Sequence, residues 1–587
     1  MLMKMVGVDL ILGKGFRWML VGMLAMLITG AAFALPPTIQ LEGSYEGHLQ
    51  DIWWDGKDTM WWAQTKDILR TDMSGKVMAR ASVQGHYAGC EVRDGRLYVA
   101  VFQQNGKGVE RRVRINVHDA QTLALLEEHV VDGPADGAGA LAILPDGTFV
   151  VGCIRPPDIN VRTQLRLHHI GRDYRLIASY LVDDVDVPLG IETIKHRDGE
   201  LYLFTYSTTT PCIVLDAKTF RERRRVHGLN GACGLAFGTD FCYGGKTVRS
   251  KDGKWTSSVL SVPVTGASQR REAKIAVIGE NLLVNRAGEE FPVERQIAYW
   301  TAAMDREAVH KPDMFVLPEI CDIYLGLPRE RKEQWLMARG GRILKAFRDY
   351  ARGHGAYVVY PTYRKVGNAW ANTAYLIGRD GTVLGTYDKY QPTVRDLENP
   401  YMKVVPGDKA FVAQTDFGSV GIIICFDLNF DGIFAQYEKM RPDVLVFPSY
   451  YDGDSWRYHR ARQCGSWLVA STVGNLAKSV TDRAGHETAH VDGKTTRTFT
   501  ATINTNSRVL HEDFNMQQVA AALKRYPALS LSEDHHDGLR LMTSSDPALD
   551  IDDVFTEFGI EGWFNYQARS RQVRESRLRA SGPRPAR

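Results

Sequence analysis

Between residues 46 and 264 the sequence repeats itself. One unit is GCEVRDGRLYVAVFQQ (89–104) followed by RRVRINVHDAQTLALLEEHVV (111–131). The next is GALAILPDGTFVVGCIR (139–155) with QLRLHHIGRDYRLIASYLV (164–182), and a third is GIETIKHRDGELYLFTYS (190–207) with CIVLDAKTFRERRRVHGL (212–229). Each has two short strands around an Asp-Gly type turn and two more around a turn such as HDAQT or LDAKT. Asp-Gly between alternating apolar residues is a hairpin signal, because both turn residues must adopt φ > 0. An earlier copy (49–83) and a shorter late one (234–264) bring the count to five. A period of roughly 40 to 50 residues with four strands per unit predicts propeller blades. The expectation is a five-bladed, all-β propeller over 46–264, with a β-sandwich as the alternative. His48 and His86 fall at similar places near unit starts. No carboxylates at ligand spacing accompany them, so they read as packing residues.

After TGASQRRE (265–272), a small polar linker, the pattern changes. Apolar runs of strand type, such as KIAVIGE, DMFVLPE, YVVYPTYRKV, SVGIIIC and DVLVFPSYY, alternate with helical spacing in FPVERQIAYWTAAMDREAVHK and KEQWLMARGGRILKAFRDYARGHG. Alternating strands and helices argue for a layered α/β domain over 273–512. The remainder, 513–587, reads as a helical extension with two helical segments and a basic, Pro- and Ser-containing tail.

The chain has 587 residues, with 44% apolar and 24% charged content, as expected for a soluble multidomain protein. A formal net charge of +3 gives no argument for nucleic acid, and none is expected as a partner. Lys14 and Arg17 precede the apolar run 18–34, which ends Ala32-Phe33-Ala34. This is a signal-peptide pattern with cleavage after Ala34, implying export to a periplasm or the exterior. An uncleaved membrane anchor is the alternative. In an oxidising compartment the eight cysteines could pair, but sequence does not give a pairing, and no CxxC spacing suggests zinc.

Three residues close strands of the α/β domain: Glu319 after DMFVLP, Lys389 after GTVLGTYD and Cys425 after SVGIII. Reactive groups gather at the C-terminal ends of strands in open α/β architectures. A carboxylate can take a thiol proton, and an ammonium can stabilise a tetrahedral oxyanion. The three form a complete set for acyl transfer without histidine.

On these residues the chain resembles the nitrilase, or carbon–nitrogen hydrolase, superfamily. The resemblance rests on VLPE (316–319), NTAYLIGRDGTVLGTYDKY (372–390), PGD (406–408) and GIIICFD (421–427), and covers about 273–512. It implies an αββα sandwich with Cys425 as nucleophile, Glu319 as general base and Lys389 as oxyanion-stabilising ammonium. It also implies Phe426 as a backbone N–H donor and Glu398 as a second glutamate orienting Lys389 and substrate. Tyr324, Tyr450, Tyr451 and Trp456 follow strand ends and are candidates for the pocket, or for packing. The sequence departs from the family at Asn429-Phe430-Asp431-Gly432, where Arg-Phe-Pro-Glu is common, and at Arg462–Ser466, where Arg-Ala-x-Glu-Asn is common. These changes leave the substrate open. The resemblance implies an amidase or carbamoyl-amide hydrolase acting on a small molecule, with no metal or organic cofactor, and a homo-oligomer through this domain. The alternatives are an N-acyltransferase with the same triad, or a binding protein whose propeller recognises a ligand and whose hydrolase domain is degenerate.

Overall fold

The structure, a computed structural model, describes residues 36–102, 113–131, 138–153, 165–183, 190–205, 212–226, 231–239, 241–263, 272–284 and 292–580. The predicted signal segment 1–34, residues 265–271 of the predicted linker and the end of the basic tail lie outside the described residues.

The repeats form five four-stranded antiparallel sheets. In the second, strands His86–Arg93, Arg96–Phe102, Arg114–Asp119 and Leu125–Val130 pair in chain order. Its first hairpin turns at Asp94 (φ 50°) and Gly95 (φ 73°), and the fourth sheet's at Asp198 (φ 51°) and Gly199 (φ 79°). These are the two successive left-handed residues that an Asp-Gly turn supplies. The first strands of the sheets are Leu49–Trp54, His86–Arg93, Ala140–Ile143, Ile191–Arg197 and Leu235–Phe237. They lie against one another in a cycle, the last returning to the first. Across that cycle the buried Lys195 ammonium donates to Asp51 Oδ2 at 2.8 Å and to the Cys90 carbonyl at 2.9 Å. The fifth sheet takes its outermost strand from Ile39–Gln40, where Ile39 pairs with Val259. The expected domain start at residue 46 is therefore too late. The segment before it is short and lacks a repeat partner in sequence, so only the pairing reveals it.

The second unit has four layers. One six-stranded sheet runs, in spatial order, Val383–Asp388, Ala369–Ile377, Tyr357–Val366, Met314–Val316, Glu272–Ile278 and Thr498–Asn504. The other runs Val412–Thr415, Gly418–Ile422, Val444–Ser449, Trp467–Thr472, Lys478–Thr481 and Glu487–Val491. Strand alternation divides the packing. Ala273, Ile275 and Val277 join Ile422, Val446 and Leu468 in the core between the sheets. Ala276 and Ile278 face Trp300, Met304 and Phe347 on the outer helices. Helix Val293–Ala308 buries Val293, Gln296, Trp300, Ala303, Met304 and Glu307, a stripe at three- and four-residue spacing. Removing the Trp300 side chain from this layer should cost about 3–5 kcal/mol. The predicted single helix over 332–355 is two, Arg329–Arg339 and Arg342–His354. Gly340, at φ 54°, and Gly341 part them.

The extension is not only helical. Ser507–His511, which falls inside the expected hydrolase boundary of 512, pairs with Leu539–Ser544, and that strand pairs with Leu529–Leu531. The helices are Met516–Arg525, Ile551–Phe558 and Trp563–Ala580. The predicted long last helix is broken at Gly559, whose left-handed φ of 67° lets its N–H bond back to Phe555 and Thr556.

Candidate active site

Strand Gly418–Ile422 ends three residues before Cys425. The chain stays extended through Ile424, then turns at Cys425, which has φ 49°. A non-glycine residue in this region costs about 1–2 kcal/mol. Here the turn is held from outside. Asp427 is fully buried and its carboxylate accepts from Ile424 N–H (3.0 Å), Gln391 N–H (2.7 Å) and Tyr387 O–H (2.7 Å). Burial raises the Asp427 carboxyl to about 6, while the Lys389 charge and these donors pull the other way. Beyond the 3₁₀ turn Cys425–Asn429, helix Asp431–Met440 begins.

Glu319 lies three residues past strand Met314–Val316 and Lys389 one residue past Val383–Asp388. These strands are not neighbours in the sheet. They are bridged by Asn372 on Ala369–Ile377, one of the two strands between them. Its carbonyl accepts from Lys389 N–H at 2.7 Å, and its side-chain amide donates to Glu319 Oε1 at 2.8 Å. The Lys389 ammonium donates to the same Oε1 at 2.7 Å, and Tyr450 N–H donates to Oε2 at 3.1 Å. Glu319, Lys389 and Cys425 are 3%, 2% and 8% exposed, so this is a desolvated site with little access to bulk water. The residue after the base, Ile320, also has positive φ (39°), an outlier for a β-branched residue. Two residues at left-handed φ thus flank the charge cluster in sequence.

The electrostatics fix the resting protonation. Burial lowers the affinity of Lys389 for its proton, but Glu319 and the other nearby acidic groups more than compensate, and the ammonium is held above its ordinary range. Burial pushes the Cys425 thiol up to about 12; the Glu319 charge adds to this and Lys389 opposes it. Burial thus disfavours a free thiolate at Cys425.

The other predicted residues separate. Tyr450 and Tyr451 lie at the site. Tyr450 binds Glu319 through its backbone, and the Tyr451 hydroxyl donates to Asn429 Oδ1 at 3.2 Å, on the nucleophile's turn. Phe426, just past Cys425, is 37% exposed. Tyr324 packs in the outer helix layer. It is 1% exposed, donates to the Pro292 carbonyl at 3.0 Å and lies edge-on against Trp335. Trp456 is exposed beside Arg460, 5.0 Å from its guanidinium. Glu398 is exposed at the end of the short helix Val394–Leu397, where its backbone N–H donates to the Val394 and Asp396 carbonyls. Among the described residues it makes no hydrogen bond to Lys389.

Asn372 and Asp427 carry positioning roles that the sequence reading quoted within motifs but did not assign. The departure at 429–432 has a structural counterpart. Asp431 pairs with the buried Arg460 at 2.8 Å, and Arg460 Nε donates to the Leu428 carbonyl at 3.1 Å. The nucleophile's turn is tied to helix Asp454–Cys464 by this route. Among the described residues no two cysteines form a disulfide; Cys321 donates to the Pro361 carbonyl within the helix-side core, a different cluster from that of Cys425.

This arrangement places a carboxylate, an ammonium and a thiol together in one buried site. Residues 287–473 match the carbon-nitrogen hydrolase family model, so the α/β unit is a carbon–nitrogen hydrolase domain. The chain is 24% identical over 232 residues to the N-carbamoylputrescine amidase of Solanum lycopersicum, covering 37% of this chain and 77% of that one. It is 28% identical over 117 residues to the "probable hydrolase YhcX" of Bacillus subtilis (strain 168), covering 18% of this chain. The matched stretch is 22% of that relative's length. Among solved structures, an amidase from Nesterenkonia sp. aligns with 16% identity and a TM-score of 0.34, over 40% of this chain and 89% of that one.

Proposed function

We propose that this protein is a cysteine-dependent hydrolase of non-peptide carbon–nitrogen bonds in a small molecule, an amidase or carbamoyl-amide hydrolase. The observation that carries the reading is the buried Glu319–Lys389 pair beside Cys425. Cys425 Sγ attacks the amide carbon as its proton passes to Glu319. The carbonyl oxygen becomes an oxyanion facing the Lys389 ammonium, which desolvation makes effective. The C–N bond then breaks, Glu319 returns the proton to the leaving nitrogen, and a thioester remains on Cys425. Water adds to that thioester, giving its proton to Glu319. The tetrahedral adduct collapses to the acid, and the thiol is restored. The intact, fully hydrogen-bonded carboxylate favours this over a degenerate binding domain.

The five cyclically arranged sheets are read as the blades of a propeller, closed by Ile39–Gln40 in the fifth blade. Export is proposed from the charged and apolar pattern of residues 14–34. Association of copies through the hydrolase domain is proposed on the resemblance alone.

The test is ammonia or amine release from a panel of small amides, carbamoyl amines and nitriles, comparing wild type with Cys425→Ala. Release by the wild type alone supports the proposal. Silence on the whole panel, with no acyl adduct forming on Cys425, contradicts it.

A further inference from the structure

A second cleft lies away from the cysteine, where the five-sheet unit, the hydrolase domain and the C-terminal extension meet. It encloses about 900 Å³, including its open mouth. The edge strand Glu222–Val226 and the residue before it bring Arg221, Arg223, Arg224 and Arg225 to one wall. The hydrolase domain adds Arg441 and Arg483, and the extension adds Arg508. Against these seven guanidinium groups the lining holds three carboxylates, Glu222, Asp443 and Asp552.

The acids near the cleft are already engaged. Arg223 and Arg224 share Glu200, with Nη1 of Arg223 at 2.9 Å and Nη2 of Arg224 at 2.6 Å, and Arg223 also pairs with Asp553. Arg225 and Arg441 share Glu222, at 3.0 Å and 3.1 Å. Arg508 pairs with Asp552 at 2.8 Å and Arg483 with Asp443 at 2.6 Å. Among the described residues Arg221 has no ion pair. Seven guanidinium groups against five carboxylates, Glu200, Glu222, Asp443, Asp552 and Asp553, leave an excess of positive charge, and a concave, partly desolvated wall concentrates its field. The response of Glu222 is consistent with this. Burial raises its carboxyl, yet Arg225, Arg441 and Arg508 together hold it down at about 2. The aromatic side of the cleft is Trp563 and Phe564, with Arg441 stacked 4.4 Å over the Phe564 ring.

We propose that this cleft binds a small soluble polyanion carrying phosphate- or sulfate-type groups, held by the guanidinium groups of residues 221–225 and by Arg508. Planar guanidinium forks match oxyanions in paired hydrogen bonds. The site is independent of the reaction proposed above. It does adjoin the machinery, because Arg441 ends the helix that follows the nucleophile's turn, and Arg225 donates to the Lys439 carbonyl in that helix's last turn.

The test is calorimetric titration of the full chain with inorganic pyrophosphate, with ionic strength held constant by sodium chloride. One saturable site is expected in the wild type. Arg221→Ala, which removes no ion pair seen among the described residues, and Arg224→Gln should each weaken it about tenfold or more. Arg175→Ala, an exposed arginine outside the cleft lining, should leave it unchanged. Absence of saturable heat in the wild type overturns the proposal. So does undiminished binding in Arg221→Ala and in folded Arg224→Gln.

Discussion

Glu319 and Lys389 stand 70 residues apart in sequence and on non-neighbouring strands, yet share a 2.7 Å hydrogen bond in a site closed to bulk water. Removing one member of a buried pair leaves an uncompensated charge, at a cost of about 3–5 kcal/mol. Lys389→Met should therefore lower stability by that order and cut kcat/KM by about a thousandfold or more. Glu319→Gln keeps the shape but leaves the buried Lys389 ammonium without its counter-charge, so it should lose stability of the same order along with comparable activity. Thermal unfolding beside steady-state rates separates the two effects.

Burial pushes the Cys425 thiol up to about 12, so the thiolate fraction grows as pH rises toward that value. Alkylation of Cys425 by iodoacetamide should accelerate tenfold per pH unit between about pH 7 and 10 without a plateau. Peptide mapping at each pH checks this, and a plateau near pH 7 would show a depressed thiol instead.

Asp427 gathers three donors into one carboxylate and fixes the turn at Cys425. Asp427→Asn turns one acceptor into a donor facing donors. A loss of roughly 2–4 kcal/mol is expected from the unsatisfied groups. Activity should fall more than substrate binding does, because the nucleophile is displaced. Denaturant unfolding and a comparison of kcat with KM read the two consequences.

Glu222 ties the five-sheet unit to Arg441 of the hydrolase domain. Its carboxyl is held at about 2, below the ordinary 4.5. A depressed acid contributes stability that is complete above the unfolded value and lost as pH falls through the folded one. Roughly 3 kcal/mol should vanish between about pH 4.5 and 2. Glu222→Gln should flatten the stability profile across that window.

Gly407, in the PGD turn, donates its N–H to the Lys389 carbonyl at 2.9 Å. A Cβ there would sit 2.2 Å from the Asp388 carbonyl oxygen, so Gly407→Ala must shift the segment bearing the lysine. Activity should drop at least about tenfold with the fold retained, as read by circular dichroism and ammonia release.

The sequence shows most clearly the features that depend on neighbours along the chain. Asp94-Gly95 and Asp198-Gly199 announce their hairpins because the turn chemistry is local. Glu319, Lys389 and Cys425 are legible because each closes an apolar strand within a specific motif. What escapes depends on partners distant in sequence. Asn372 and Asp427 look like ordinary polar residues until Glu319 and Tyr387 are seen beside them. Tyr324 reads as a loop aromatic because nothing local shows that Pro292 takes its hydroxyl. Ile39–Gln40 is too short to signal a strand without Trp255–Pro263 alongside. Leu529–Leu531 is likewise defined by its pairing with Leu539–Ser544. Glu398 shows the limit of carrying a role by motif order, since its loop leaves the carboxylate in solvent.

The most direct measurement is mass spectrometry of acid-quenched turnover, followed by peptide mapping. The account predicts a mass increase equal to the substrate's acyl group on the peptide containing Cys425, absent from Cys425→Ala, which should not turn over. Turnover that persists in Cys425→Ala, or an acyl adduct on another residue, would contradict it.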